Sequence, residues 1–503
     1  MTLDKTRILK HAPSLVFVAI LSVQLFVPPS IGLANNGDFS KIMGLFNLGA
    51  PRGDEYAYVH LTYRFDDTYH WEAGYYSSET LLAAAPIALK RNLSKDRSFN
   101  LRWMGFVHGL LFLLAVYLLQ GLLTPVEGWR WYILWAFITI GFGDVMYVSY
   151  FNSLYMDAAA YVFLMLSVVL FLRAAAWRRK SDAIGLVICV ALLLLSKSQH
   201  AILGVWIAPL FTFFGGALWP GNGRLFAIVS TIIVSAAALV GVELVPFDYA
   251  AHGYYSVIFW QVLPHSTNVN ADLHALGLDE SYAIFVGTHA FSSESGFRDP
   301  DFTDAFMRRT SYIKVGWFFL THPRAAYLAL DGSVGEGGRQ RPAMGNFDRS
   351  VGLPPFSESH SFALWSDAKR ALFHGHGIQY GIFYLLISGL ACALALVRRR
   401  TMTSVLVAGV CVIAAMGITE VLIASLADAV DVTRHHFIAA AMLDLELLIV
   451  LWMLLSGLKN RFHAEAAQQQ ELRKIVRSEQ AHQAAPVLHQ CAAATSHQWQ
   501  RLG

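Results

Sequence analysis

The stretch PSLVFVAILSVQLFVPPSIGLANNGDF, residues 13–39, decides the predicted fold. Residues 13–34 are long and apolar enough to cross a bilayer, for which about 20 residues are needed. They lead directly into Asn35-Asn36-Gly37-Asp38-Phe39, where a turn that glycine permits holds a carboxylate at the membrane edge. We therefore predict a membrane helix followed by an acid that is available for chemistry at the water interface.

The composition places the whole chain in the membrane. Of its 503 residues, 55% are hydrophobic and only 15% are charged, which is too apolar for a soluble protein, and the bilayer is its first expected partner. The net charge of +3 forms no basic stripe with interleaved aromatics, so nucleic acid is not an expected partner. The cysteines Cys189, Cys392, Cys411 and Cys491 have neither disulfide nor metal-ligand spacing.

Apolar stretches long enough to span a bilayer recur along the chain, and we count about ten of them. The fold class that they predict is an all-α polytopic membrane protein. A signal peptide is an alternative for the first stretch, which is long for a signal core. The stretches lie at 13–34, 103–123, 131–149, 158–176, 183–198, 201–219, 225–245, 377–397, 403–426 and 437–456.

The Lys and Arg residues near the span ends predict the orientation. With ten spans they fall mostly on one side, which the positive-inside rule makes cytoplasmic. Two large loops, 35–100 and 246–375, then face outward together. The predicted organisation is a cytoplasmic N-terminus (1–12), spans one to seven with the first outer loop (13–245), an outer loop domain (246–375), spans eight to ten (376–457) and a partly disordered cytoplasmic tail (458–503).

The first outer loop combines acids with aromatic rings. Asp54 and Glu55 form an acid pair, and each is a further candidate for a second acid of the site. Rings that include Tyr56, Trp71 and Tyr75 follow them. Ring faces stack on the C–H surface of sugars while acids accept hydrogen bonds from hydroxyls, so this loop is a candidate sugar-binding surface. An aromatic belt at the membrane interface explains the same rings equally well.

Further charged residues fall on the predicted outer side. Asp157 begins the fourth span and is either a second acid or merely a helix N-cap. Lys197 and His200 follow the fifth span, where a basic residue either binds an anion or snorkels from the helix end. Arg434 and His435 lie just before the last span, where they either bind a phosphate or belong to a solvated turn that charges cap.

Acids, bases and aromatic surface on one face of a membrane body fit the transfer of a sugar from a polyprenyl-phosphate carrier. Asp38 would act as general base on the acceptor hydroxyl, alone or through a divalent cation such as Mg²⁺ or Mn²⁺ held by Asp38 and Asp157. Arg434, His435, Lys197 and His200 would stabilise the departing phosphate.

Three motifs also carry a family resemblance: Asn-Gly-Asp-Phe at 36–39, Tyr-Phe-Asn-Ser-Leu-Tyr at 150–155, and the run from Arg341-Pro342 through Gly345-Asn346-Phe347 to Trp365-Ser366. They resemble WsfD-type hexose transferases of bacterial surface-glycan assembly and, more broadly, the GT-C class of lipid-linked-sugar glycosyltransferases.

The resemblance implies a multi-pass protein of the bacterial inner membrane whose active site faces the periplasm. Its donor would be a polyprenyl-phosphate-linked sugar, its acceptor a glycan or lipid-linked sugar, and its catalytic acid Asp38. Asp157 matches a second family acid, although Asp stands where relatives are expected to have Glu, which shortens its reach. Arg434 and His435 match an Arg-His pair assigned to the carrier phosphate.

Two other functions use the same features. A surface-glycan polymerase or ligase would take a pyrophosphate-linked oligosaccharide and place several arginines in its large outer loop. A transporter or lipid flippase would show repeated halves and broken spans, and we find no halves. The arginines that leave the first alternative open are Arg298, Arg308, Arg309, Arg324, Arg339, Arg341 and Arg349.

Overall fold

Helices make up most of the chain, because a backbone in lipid must satisfy its hydrogen bonds within its own segment. The computed structural model describes residues 5–49, 53–68, 74–123, 128–299, 301–400 and 402–456. The first half contains α1 (Lys5–Phe26), α2 (Ser40–Phe46), α3 (Ser78–Leu93), α4 (Arg102–Leu123), α5 (Trp129–Phe137), α6 (Val145–Val148), α7 (Met156–Trp177), α8 (Lys180–Leu194), α9 (Ser198–Ala201), α10 (Gly204–Leu218) and α11 (Gly223–Glu243).

The second half begins with short helices and ends with long ones. Short 3₁₀ and π turns connect several of them, among them the π turn Ser256–Val262. The helices are α12 (Phe247–Tyr255), α13 (Val269–Ala275), α14 (Phe302–Arg309), α15 (Tyr312–Thr321), α16 (Pro323–Gly337), α17 (Leu364–Phe373), α18 (Gly377–Val397), α19 (Ser404–Leu426), α20 (Val432–His435) and α21 (Phe437–Ser456).

Seven helical segments in the described part of the chain are long and apolar enough to cross a membrane. They are α4, α7, α9 with α10, α11, α18, α19 and α21, and each matches a predicted span. The three remaining predicted spans are shorter or interrupted: the apolar part of α1 covers His11–Phe26, α8 has 15 residues, and the stretch 131–149 is broken. The chain is therefore a multi-pass helical membrane protein, and the count of ten spans stays a prediction.

The third predicted span breaks at Gly143-Asp144. The helix α5 passes into a π turn, Ile138–Phe142, and the chain then restarts as α6. Asp144 caps α6 by accepting from Met146 N at 2.9 Å, while its other oxygen accepts from the backbone N–H groups of Trp365 and Ser366 at 3.0 and 2.9 Å. A buried acid is tolerated here because these amides satisfy it.

The backbone before Asp38 and the first predicted loop both contact residues of the second predicted loop. Gly32 N donates to Asn346 O (3.1 Å), Ala34 N to Gly345 O (2.9 Å) and Val59 N to Phe347 O (3.0 Å). Gly345 fits because a Cβ there would lie 2.1 Å from Ala57 O. This loop-to-loop pairing fixes the backbone immediately before Asp38.

A small antiparallel ribbon also lies in the first loop and departs from the all-α prediction. Its strands are β1 (Thr62–Arg64) and β2 (Ser98–Asn100), with Tyr63 opposite Phe99. Strands of three residues are too short to leave an alternating pattern in the sequence. The ribbon pairs residues 62–64 with residues 98–100 and so joins two distant parts of the first loop.

Residues 246–375 contain their own apolar core between α12 and α16. The core is aromatic, with Tyr255, Phe259, Phe302 and Phe306 all buried. Three helices of this segment, α14, α15 and α16, follow one another closely between residues 302 and 337. The predicted tail 458–503 lies outside the described residues.

Candidate functional site

A turn with a positive φ angle presents Asp38. Asn35 Oδ1 accepts from Gly37 N at 2.8 Å and from Phe39 N at 3.1 Å, and Asn36 Oδ1 accepts from Asp38 N at 3.1 Å. Gly37 has a φ of 101° and a Cβ there would meet nothing within 4 Å, so glycine is needed for backbone conformation alone. The Asn-Asn-Gly-Asp stretch is thus a self-bonded turn that fixes the direction of the Asp38 side chain.

Arg434 is the centre of the site. Its guanidinium lies 2.5 Å from Asp38 Oδ2, 2.7 Å from Asp431 Oδ2 and 3.2 Å from Asp157 Oδ2. It also lies over the ring of Tyr155, 4.9 Å from the centroid, and its side chain is only 4% exposed. One buried cation is therefore shared by three carboxylates that come from distant parts of the chain.

Two lysines complete the charge distribution. Lys41 Nζ lies 2.8 Å from Asp38 Oδ1, and Lys197 Nζ lies 3.4 Å from Asp157 Oδ1. Lys197 Nζ is also 3.1 Å from His435 Nδ1, whose ring contacts Asp428 through Nε2 at 3.1 Å. His435 Nδ1 is also 3.2 Å from Gln199 Oε1, so this ring contacts Lys197, Gln199 and Asp428.

Burial and the neighbouring charges have opposite effects on the pKa values of these groups. Burial would raise the pKa of Asp38, but Arg434 and Lys41 beside it hold that pKa well below its usual range. Burial lowers the pKa of Lys197, and Asp157 opposes that effect. Burial likewise opposes the charged form of Arg434, yet the three carboxylates raise its pKa. The site is a cluster of acidic and basic side chains, and we name it the Arg434 cluster: Asp38, Lys41, Asp157, Lys197, Asp428, Asp431, Arg434 and His435.

Five residues predicted from sequence meet in this cluster: Asp38, Asp157, Lys197, Arg434 and His435. The N-cap interpretation of Asp157 is wrong, since Tyr155 is the N-cap of α7 and the Asp157 carboxylate turns to Arg434 and Lys197. Snorkelling does not describe Lys197 either, because its side chain is 9% exposed and ion-paired.

His200 does not join the Arg434 cluster. It lies on α9 one turn after Lys197, and its Nδ1 is 2.7 Å from Glu420 Oε1 with both side chains buried. Gln199 connects the two groups, since its Nε2 donates to Glu420 Oε2 at 2.6 Å and to His435 O at 2.9 Å. His200 is therefore connected to the cluster indirectly, through Glu420 and Gln199.

The acid pair of the first loop has other partners. Asp54 Oδ1 is 2.7 Å from His60 Nε2, and Asp54 Oδ2 is 3.4 Å from Arg349. Glu55 supports the Asp38 turn through its backbone oxygen, which accepts from Asn35 N at 2.9 Å. The side chain of Asp54 therefore pairs with residues other than those of the Arg434 cluster.

The three aromatic residues predicted to bind sugar have different surroundings. Tyr56 is half-exposed, and its pKa is raised by burial and by the charge of Asp431, which places its phenol near the cluster. Tyr75 is buried and its hydroxyl accepts from Ser198 N at 3.1 Å, so it braces the start of α9. Trp71 lies outside the described residues.

Sequence reasoning missed Lys41, Tyr155, Asp428 and Asp431 as members or neighbours of the site. Two of them carried a local signal, because Asp38 with Lys41 and Asp431 with Arg434 have the i,i+3 spacing of ion pairs. Tyr155 carried none: its hydroxyl donates to Ala34 O at 2.7 Å, a contact between distant segments.

Metal binding finds little support in the donor set. The described residues contain no group of three or more His, Cys, Asp or Glu side chains placed to hold a metal ion. Asp38 and Asp157, the two expected ligands, direct their oxygens at Arg434, Lys41 and Lys197. Their charge is therefore already neutralised by side-chain cations.

Comparison with known families gives one match, over residues 4–474, to the model of the YfdI N-terminal transmembrane domain. That match covers nearly the whole chain. The chain belongs to the YfdI N-terminal transmembrane domain family. Neither curated proteins nor solved structures gave a match to this YfdI-type domain. The family agrees with the helical, multi-pass architecture, and the Arg434 cluster lies within the matched residues.

Proposed function

We propose that this YfdI-type domain is a membrane glycosyltransferase of the GT-C class, which moves a sugar, a hexose in the narrowest form of the proposal, from a polyprenyl-phosphate carrier to a glycan or lipid-linked acceptor. The family is linked to YfdI, a glycosyltransferase-like membrane protein. The observation that carries the proposal is Arg434, held between Asp38 and Asp157 at the end of the membrane helices.

The chemistry assigned to the cluster is a direct displacement. The acceptor oxygen attacks the anomeric carbon, the bond from that carbon to the phosphate oxygen breaks, and the acceptor proton passes to Asp38. Polyprenyl phosphate leaves with the bonding electrons, and Arg434 with Lys197 and Lys41 stabilises its growing negative charge. This sequence inverts the anomeric configuration because it has no covalent sugar intermediate.

Because Arg434 and Lys41 lie on the two oxygens of Asp38, we propose that the bound donor takes part in activating this base. With Arg434 and Lys41 on its oxygens, the Asp38 carboxylate is a weak proton acceptor. An anionic phosphodiester would share these two cations, and weaker pairing would move the pKa of Asp38 back toward its usual range. Binding of the donor and activation of the base are then one event.

We also propose the membrane topology that the sequence predicts. Ten spans would place both long loops and the Arg434 cluster on the periplasmic side of the bacterial inner membrane. Hydrogen bonds between the two predicted loops support a shared side, since Val59 N donates to Phe347 O and Gly345 N donates to Tyr56 O. Loop 246–375 would then be a periplasmic domain that covers the site.

Several arginines of that loop are paired with acids, which weakens the case for a polymerase or ligase that reads a pyrophosphate. Arg339, Arg341 and Arg370 all pair with Glu358, while Arg349 pairs with Asp54 and Arg309 with Asp279. These arginines are thus engaged with acids of the chain. A Mg²⁺ or Mn²⁺ requirement stays a prediction without a step in the mechanism, and full turnover in excess EDTA would remove it.

The test of function is Asp38→Asn in proteoliposomes supplied with a polyprenyl-phosphate hexose and a glycan acceptor. We expect a loss of transfer of at least about 10²-fold, the contribution of a positioned general base. Asp54→Asn is the matched control, because it removes another first-loop acid that is paired with His60 and Arg349.

Three outcomes would contradict this proposal. Retained turnover in Asp38→Asn would remove Asp38 from the mechanism. A ladder of repeats instead of a single added sugar would favour a polymerase. Movement of lipid-linked sugar across sealed vesicles without a new glycosidic bond would favour a flippase.

A further inference from the structure

A pocket lies at the start of α4, the membrane-spanning helix that follows the first loop. Its volume is about 290 Å³, and the residues that line it are Asn100, Arg102, Trp103 and Phe106. Asn100 is the last residue of β2, and the other three belong to the first two turns of α4. The pocket is therefore formed where the ribbon of the first loop meets a membrane helix.

Arg102 is the charged residue of this pocket, and its side chain is only partly satisfied by the protein. Its backbone N donates to Asn100 Oδ1 at 2.9 Å, and its Nη2 donates to Ser30 Oγ at 2.8 Å. Its Nε–H is buried without a hydrogen-bond partner. Since a guanidinium carries five N–H donors, the half-buried Arg102 keeps donors for a bound anion.

Nearby arginines of the first loop differ from Arg102 in having an acid. Arg91 and Arg97 lie 3.1 and 2.5 Å from the two oxygens of Asp67. Within the part of the chain that the structure describes, no carboxylate forms an ion pair with Arg102. Its charge at the end of a membrane helix is thus balanced by no acid of the protein.

An apolar stripe continues from the pocket along α4. Trp103, Phe106, Leu110, Leu114 and Tyr117 are all exposed, and their spacing of three or four residues places them on one face of the helix. Because α4 is long and apolar enough to cross the membrane, this face contacts lipid. Trp103 and Phe106 belong to both the stripe and the pocket, so the pocket is continuous with the lipid-facing surface.

We propose that this pocket binds an anionic glycerophospholipid, with the lipid phosphate on Arg102 and an acyl chain along the exposed stripe of α4. A guanidinium matches the oxygens of a phosphate in geometry and charge, and tryptophan is typical of the headgroup level of a bilayer. One unpaired cation balances the single charge of a phosphodiester better than the charges of a pyrophosphate. The assignment requires that α4 crosses the membrane, and it does not depend on the transferase proposal.

The experiment is a titration of the full chain in detergent with phosphatidylglycerol, in which native mass spectrometry counts the bound lipid. Phosphatidylcholine and inorganic phosphate are the comparison probes. We expect the wild type to bind phosphatidylglycerol more tightly than either. Arg102→Met should weaken that binding by about tenfold or more, because the charge-assisted hydrogen bonds are lost. Arg308→Met removes an outer-loop arginine that is 81% exposed and should match the wild type.

Two further pairs of variants separate lipid binding from an effect on the fold. Ser30→Ala removes the hydrogen bond to Arg102 but keeps the guanidinium, so its affinity for phosphatidylglycerol should stay close to that of the wild type. Trp103→Ala changes an exposed side chain of the pocket and should weaken binding. Tyr117→Ala, at the other end of the same stripe, should not.

Four results would overturn the assignment. Equal affinity of the wild type and Arg102→Met for phosphatidylglycerol would remove Arg102 from lipid binding. Equal binding of phosphatidylglycerol and phosphatidylcholine by the wild type would mean that the pocket does not select an anionic lipid. A loss in Ser30→Ala as large as that in Arg102→Met would give Arg102 a structural role alone. Tighter binding of polyprenyl pyrophosphate than of phosphatidylglycerol would assign the pocket to a lipid-linked acceptor. Sugar transfer by the wild type, measured separately, decides the proposed function.

Discussion

Two buried ion clusters differ in how far they are closed. Lys369 on α17 lies 2.9 Å from Asp444 on α21, with side chains 4% and 0% exposed. The same Asp444 oxygen accepts from Tyr147 OH at 2.6 Å and from Trp365 Nε1 at 2.9 Å. In the Arg434 cluster, by contrast, Asp38 is 20% exposed and Arg434 is shared by three carboxylates.

The difference separates a structural contact from a site that can exchange partners. A fully enclosed pair with additional hydrogen bonds has nothing to gain from a ligand, and it fixes α17 on the membrane helices. A cation shared by several acids at a half-open edge can give up one of them to an anionic substrate at a lower cost. Burial of charged groups alone therefore does not identify the functional site. The distinguishing feature is that several carboxylates compete for one cation.

The largest effect is expected from breaking the closed pair. Lys369→Met leaves Asp444 as an unpaired buried charge, which costs about 3–5 kcal/mol of stability. Unfolding of the detergent-solubilised chain, followed by tryptophan fluorescence, measures this loss. The double variant Lys369→Met with Asp444→Asn should regain much of it, because neither charge then remains. A loss below about 1 kcal/mol in the single variant would show that the pair is not closed.

A smaller effect on stability but a large one on turnover is expected at the open cluster. Arg434→Lys keeps the charge, yet an ammonium lacks the planar fork that reaches Asp38, Asp157 and Asp431 together. We expect transfer to fall by about 10²–10³-fold, or roughly 2.7–4 kcal/mol of transition-state stabilisation. Arg349→Lys, 74% exposed beside Asp54, is the control and should keep wild-type turnover. Equal rates in both variants would mean that Arg434 only balances charge.

The sequence predicts those features that depend on local composition. The helical multi-pass fold and seven of its spans follow from apolar length, and Asp38 was marked by the turn-forming Asn36-Gly37 before it. The positive-inside rule also predicts that Asp38, Lys197 and Arg434 lie on the same, outer side of the membrane.

Features that depend on packing between distant segments could not be predicted from the sequence. The break at Asp144 exists because backbone amides of residues 365 and 366 satisfy its carboxylate, and nothing local announces them. The sharing of Arg434 joins residues that are hundreds of positions apart. His200 was assigned to phosphate because it neighbours Lys197, yet the helical turn of α9 directs it to Glu420.

The smallest effect is expected at His436, the residue just before α21. It tests whether fully buried packing begins directly beside the open cluster. His436 follows His435, and burial with the nearby charge of His435 lowers its pKa to about 3. An unfolded chain would protonate this histidine near its ordinary pKa of about 6.5. Between these two values the unfolded chain binds the extra proton, so the free energy of unfolding falls as the pH is lowered, by up to about 1.4 kcal/mol per pH unit.

His436→Gln removes that titration and should flatten the loss of stability between about pH 6.5 and pH 3. His274→Gln, at a side chain 63% exposed, should leave the wild-type slope unchanged. Denaturant unfolding at a series of pH values measures both. If His436→Gln keeps the wild-type slope, then His436 takes up a proton in the folded chain as readily as in the unfolded one. The more open character of the Arg434 cluster would then extend to His436.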